Sequence, residues 1–130
     1  MTRKRYLTAC SGCVALTMAI VFMWARASAQ TDDDVLKVIP ENYTLIIDNS
    51  FVRVLEARIP AGTEEKPHRH LKGVSVCLTE YTLESRILPD GQWTRNARTV
   101  GTTYWSDASL HQVRNVGKTE SHTIRIELKH

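Results

Sequence analysis

Three histidines offer the most specific chemistry in this sequence: His68 and His70, two positions apart, and His111, far downstream of them. A neutral imidazole presents a nitrogen lone pair near physiological pH, which makes histidine the commonest protein ligand for transition metals. On an extended strand, residues i and i+2 point to the same face, so the rings of His68 and His70 can converge on one point. The same spacing also occurs in surface pairs that bind nothing. Imidazole donors suit zinc, copper, iron or nickel and disfavour magnesium and calcium, which prefer oxygen.

The elements that must position these rings read as β-strands. After Pro40 the apolar residues recur with a period of two or in short continuous runs, at 43–47, 51–59, 74–79, 82–88, 92–99, 102–105 and 123–128. No segment there sustains a 3.6-residue period. Seven short strands in one domain predict an all-β sandwich or barrel. Asp48-Asn49-Ser50, Pro60-Ala61-Gly62, Pro89-Asp90-Gly91 and Asn115-Val116-Gly117 supply turn chemistry, and Pro89-Asp90-Gly91 predicts a hairpin. Ahead of them, Asp32-Asp33-Asp34 precedes Val35, Leu36, Val38 and Ile39. An acidic cap there predicts one helical turn, ended by Pro40. No repeat or interdomain linker is visible.

The histidines sit in a longer pattern. Gly62-Thr63-Glu64-Glu65-Lys66-Pro67-His68-Arg69-His70 is followed by a second segment, Gly101 to His111 and on to Asn115. Here the chain resembles the cupin family, whose first motif is G-x5-H-x-H-x3-4-E and whose second ends in H-x3-N; it is most similar to the small single-domain cupins. The resemblance implies a jelly-roll β-barrel over residues 48–130, with 30–47 an N-terminal extension or edge strand. It also implies a divalent transition metal (Fe, Zn, Ni, Cu or Mn) held by His68, His70 and His111. Asn115 matches the asparagine that closes the second motif, which implies that it orders the turn before the last strand.

Two departures change the expected chemistry. The motif glutamate would fall at Val74 or Ser75, and Glu80 comes too late to replace it; Asp107 and Ser109 stand where the second motif has proline and glycine. Three neutral imidazoles leave an ion's double charge uncompensated, which favours an anionic ligand or hydroxide and acidifies bound water. The alternative is a barrel that keeps its histidines in a polar cavity without a metal. Cys77 shares parity with Ser75, and reads either as a buried small residue or as a thiol reaching the cavity. Trp93, Trp105, Tyr81 and Tyr104 are expected to fill the barrel or flank its mouth. His122 and His130 are expected in solvent. Arg53, Arg58, Arg69, Arg95 and Arg98 are expected on a solvated outer face, the alternative being an inward-facing arginine that holds a carboxylate by a bidentate fork.

The N-terminus reads differently from the rest. Thr2-Arg3-Lys4-Arg5 is basic, Leu7 to Ala25 carries no charge, and Ala27-Ser28-Ala29 has the small-x-small pattern that signal peptidase requires. Residues 1–29 therefore read as a signal peptide cleaved after Ala29, giving a periplasmic or secreted protein; left uncleaved, the segment would be a membrane anchor. Cys10 and Cys13 fall within it. The whole chain has 17 basic and 14 acidic residues. Arg3, Lys4, Arg5 and Arg26 belong to the leader, so the mature part has 13 basic against 14 acidic, a net charge of −1. Such a domain has no electrostatic footprint for nucleic acid. The expected partner is a small-molecule ligand or substrate, with Val35 to Ile47 available for pairing two copies as a homodimer. The functions open to it are metal-dependent catalysis of the oxygenase, isomerase or lyase type on a small anionic molecule, ligand binding without chemistry, or a structural role.

Overall fold

The computed structural model describes residues 31–130. The leader, its cleavage site and the Cys10/Cys13 pair lie outside the described residues. One helical turn, α1 (Val35–Val38), precedes nine strands: β1 (Tyr43–Asp48), β2 (Val52–Ile59), β3 (His68–His70), β4 (Gly73–Cys77), β5 (Tyr81–Ile87), β6 (Thr94–Arg98), β7 (Thr103–Ser106), β8 (Ser109–Asn115) and β9 (Ser121–Leu128). They form a five-stranded sheet, β1-β2-β9-β4-β7, and a four-stranded sheet, β3-β8-β5-β6. All strand pairs are antiparallel. The chain passes repeatedly from one sheet to the other, so the two inner faces enclose a jelly-roll interior.

The seven apolar runs correspond to β1, β2, β4, β5, β6, β7 and β9. The two further strands, β3 and β8, are the ones that carry the histidines. β8 escapes a search for apolar alternation because its inward positions are Ser109, His111, Val113 and Asn115, mostly polar. Pro89-Asp90-Gly91 does join the paired strands β5 and β6. There Gly91 N–H donates to Ile87 O at 2.8 Å, and a Cβ on Gly91 would sit 2.2 Å from that oxygen. Only glycine permits so close a return of the chain.

Asp34 caps α1 as the acidic run predicts, with Oδ1 accepting from Leu36 N–H at 3.0 Å. The turn exists to deliver Val35 and Ile39 into a core with Tyr43, Leu55 and Ala57. Those two side chains are thus withdrawn from any pairing surface, leaving the exposed Leu45, Ile46 and Ile47 of the edge strand β1.

Elsewhere the usual partition of a sandwich is inverted. On β9 the buried positions are Ser121, Thr123, Arg125 and Glu127, while Ile124, Ile126 and Leu128 face outward. An apolar row consequently crosses the outside of the five-stranded sheet, from Ile47 through Val54, Ile126 and Val74 to Trp105, each opposite the next. The polar inward row of β9 indicates that this strand lines a site, while β1 and β2 of the same sheet carry the core through Tyr43, Leu55 and Ala57.

Candidate metal centre

The strand register brings the histidines together. β3 pairs with β8 so that His68 lies directly opposite His111, and His70 projects from the same face of β3 as His68. The three rings stand nearly perpendicular to one another with centroids 4.6 to 5.3 Å apart. One ligand nitrogen from each lies within 4.8 Å of the others. His68 and His70 are buried and His111 half-buried. All three predicted ligands therefore meet at one point, from segments far apart in the chain.

The far side of two of the rings determines what the near side presents. His68 Nδ1 lies 2.8 Å from Lys66 O, and a carbonyl only accepts, so this nitrogen carries the proton. His70 Nδ1 lies 2.5 Å from Glu127 Oε1, where an ionised carboxylate imposes the same tautomer. Both rings then turn a bare Nε2 lone pair to the centre, and His111 Nε2 stands 2.9 Å from His68 Nε2. Anchoring of the outer nitrogen by a carbonyl or carboxylate is the arrangement that orients metal-bound histidine. The donor set accordingly fits a divalent transition ion. Burial pushes all three imidazoles below their ordinary pKa, His70 strongly and His111 to about 2; Arg125 adds to it for all three, and neighbouring imidazoles for His70 and His111. They are neutral, as ligands must be.

Two carboxylates stand behind the centre that sequence reasoning did not single out. Glu127 is fully buried and meets His70, Arg53 and Arg125 at once; Arg53 in turn donates to Asp34 at 2.7 Å. Glu65 Oε2 lies 3.8 Å from His68 Nε2 and accepts from Tyr43 Oη, while Oε1 accepts from Asn42. Burial pushes Glu65 up to about 7 against the opposing effect of those two donors. The three ligands are neutral, as expected, and Glu127, bonded to His70, is itself answered by Arg53 and Arg125, so it leaves no net negative charge for an ion. The signal for Glu127 lay in β9, where Arg125 and Glu127 occupy the parity opposite to Ile124, Ile126 and Leu128. Opposite charges on an inward parity are found only when they are paired.

The position of the family's glutamate holds Ser75, which faces inward, is buried, and accepts from Arg125 Nη1 at 3.1 Å. Cys77 is likewise inward and buried, with Sγ 3.2 Å from Tyr81 Oη. Four other expectations change. Arg53 is a buried ion-pair partner instead of a solvated surface residue. Arg98 lines the cavity. His122 is half-buried with Nε2 2.7 Å from Glu56 Oε1. Trp93 neither fills the barrel nor flanks its mouth, but stacks on the outside between the guanidinium groups of Arg86 and Arg114. Asn115 behaves as expected: its side-chain N–H groups donate to Ile59 O and Thr119 O, and Oδ1 accepts from Gly117 N–H, closing the turn into β9.

Next to the centre the barrel holds a cavity of about 510 Å³, lined by His70 and His111 and by Arg98, Tyr104, Trp105 and Arg125 among others. That volume suits a small organic molecule.

No family model matches the chain, and no curated protein does. Solved structures do. A cupin domain from Bordetella pertussis is 34% identical over 68% of this chain and 92% of its own length, with a TM-score of 0.61. An RmlC-like cupin with a double-stranded β-helix fold from Methanocaldococcus jannaschii shares the fold at 9% identity, covering 66% of this chain and 77% of its own, with a TM-score of 0.52. The first of these likenesses, spanning nearly the whole of the Bordetella domain, joins the sequence motifs and the two-sheet barrel in one conclusion: this chain belongs to the cupin superfamily.

Proposed function

We propose that this protein is an exported small cupin, periplasmic or secreted, that holds a divalent transition ion on His68, His70 and His111 and acts on a small anionic molecule in the adjoining cavity. The leader pattern at residues 1–29 supports export. One observation carries the metal reading: His68 and His70 are fixed at Nδ1 by Lys66 O and Glu127, which leaves Nε2 of each unprotonated, and the three histidines bring ligand nitrogens within 4.8 Å of one another. A bound ion there supplies Lewis acidity. The chain's own residues hold the rings in register, pack Tyr43 against His68 and His70, and keep the imidazoles neutral. Oxygenase, isomerase and lyase chemistry all use such a centre, and a binding protein without catalysis is the alternative.

Metal binding to the folded state alone raises stability by about 2.7 kcal/mol at a hundredfold excess over Kd. Zinc or nickel is therefore expected to raise the melting temperature of the chelator-treated protein by about 10 °C or more. His70→Ala should melt at the same temperature with and without metal. A wild-type protein indifferent to both ions contradicts the proposal.

The apolar row on the outer sheet favours a homodimer as the working form, because an isologous contact there buries the same five side chains from each copy. Ile126→Lys, at the centre of the row, should convert a dimer to a monomer in light scattering. A monomeric wild type would refute this part of the reading.

A further inference from the structure

The cavity contains one cation that nothing in the described protein satisfies. Every other described arginine gives its guanidinium to an oxygen: Arg53 and Arg125 to Glu127, Arg58 to Glu56 and Glu120, Arg69 to Asp33, Arg86 to Gln112, Arg95 and Arg114 to Glu84. Arg98 has no such acceptor. It lines the cavity from the edge strand β6, and its guanidinium carbon lies over the ring of Tyr104, 3.6 Å from the centroid. Tyr104 is itself held by Tyr81, Oη to Oη at 3.4 Å, so the platform is anchored to the opposite sheet. A contact of this kind restrains the guanidinium without using its N–H donors, which stay available to whatever occupies the cavity.

The other charges lining the cavity do not answer it. Arg125 is tied to Glu127, Ser75 and Leu71 O. Asp107 accepts from the indole of Trp105 at the exposed mouth. A cavity with a free, pre-oriented guanidinium on one wall and a metal centre on the other has a surplus of positive charge, and a planar fork matches a carboxylate with two parallel hydrogen bonds.

We propose that Arg98, stacked on Tyr104, is the specificity-determining residue of this cavity, so that its ligand carries a carboxylate set apart from the group that faces His70 and His111. This rests on the metal reading above for the second group, but not for the first. A bidentate charged pair of this kind governs affinity by about 10- to 100-fold.

The test uses untagged protein produced from the full-length chain, in zinc-loaded and chelator-treated forms, with succinate, acetate and inorganic phosphate titrated calorimetrically. Succinate is expected to bind the zinc form, and Arg98→Gln to weaken it about 10- to 100-fold while zinc content and melting temperature stay at wild-type values. Arg98→Lys, which keeps the charge but loses the fork and the stack, should fall between them. Equal succinate affinity in wild type and Arg98→Gln overturns the proposal, as does a zinc-loaded wild type that binds neither carboxylate, or one whose Arg98-dependent ligand is phosphate in preference to succinate. Should wild type take up no zinc, the metal reading fails separately. The chelator-treated arm then decides for Arg98: carboxylate binding lost in Arg98→Gln supports the assignment, and binding absent from wild type or unchanged in the variant overturns it.

Discussion

Glu127→Ala is expected to destabilise the domain by about 3–5 kcal/mol, measured by urea denaturation of the metal-free protein. The carboxylate is fully buried and has three partners: Arg53, whose Nε donates at 2.8 Å, Arg125, whose Nε donates at 3.2 Å, and His70. Removing it leaves two buried guanidinium groups facing each other with only Asp34, Ser75 and Leu71 O as oxygen partners, and an unpaired buried charge is far more costly than an absent pair. Glu127→Gln separates this structural part from the effect on the site. The amide keeps the shape and one acceptor but lacks the charge that orients His70, so metal affinity is expected to fall about 10- to 100-fold in a variant that still folds. Unchanged metal affinity in Glu127→Gln would show that His70 needs no anchor.

Asn115→Ala is the second large effect, expected at about 2–4 kcal/mol from three lost hydrogen bonds in a buried position. Ile59 O and Thr119 O lose their side-chain donor, and the turn that starts β9 loses its closure at Gly117. Because β9 carries both Arg125 and Glu127, a loosened turn also reaches the metal centre, 12 residues along the chain from Asn115 to Glu127. Asn115→Asp should be at least as damaging, since it turns a double donor toward two carbonyl oxygens as an acceptor. A variant as stable as wild type in chemical denaturation would remove Asn115 from the account.

What could be read in advance follows from how local each signal is. The period-two runs gave seven of the strands, and Pro89-Asp90-Gly91 its hairpin, because alternation and turn chemistry are properties of neighbouring residues. The histidine triad was legible because its spacing matches a family pattern. β8 was not seen as a strand, since a strand that lines a polar site lacks apolar alternation on its inward face. Glu127 and Glu65 were missed for a related reason: their roles are set by pairing across sheets, Glu127 with His70 and Arg53, and Glu65 with Asn42 and Tyr43. Arg53 and Arg98 carry the same one-letter code as the solvent-facing Arg58 and Arg95, and only the register of β2 and β6 turns them inward.

Elemental analysis of the untagged, purified protein tests the central claim most directly. Close to one transition-metal ion per chain is expected in wild type and almost none in His68→Ala or His111→Ala, each still folded by circular dichroism. Equal metal content in all three, whether uniformly low or uniformly high, would contradict a centre built on these histidines.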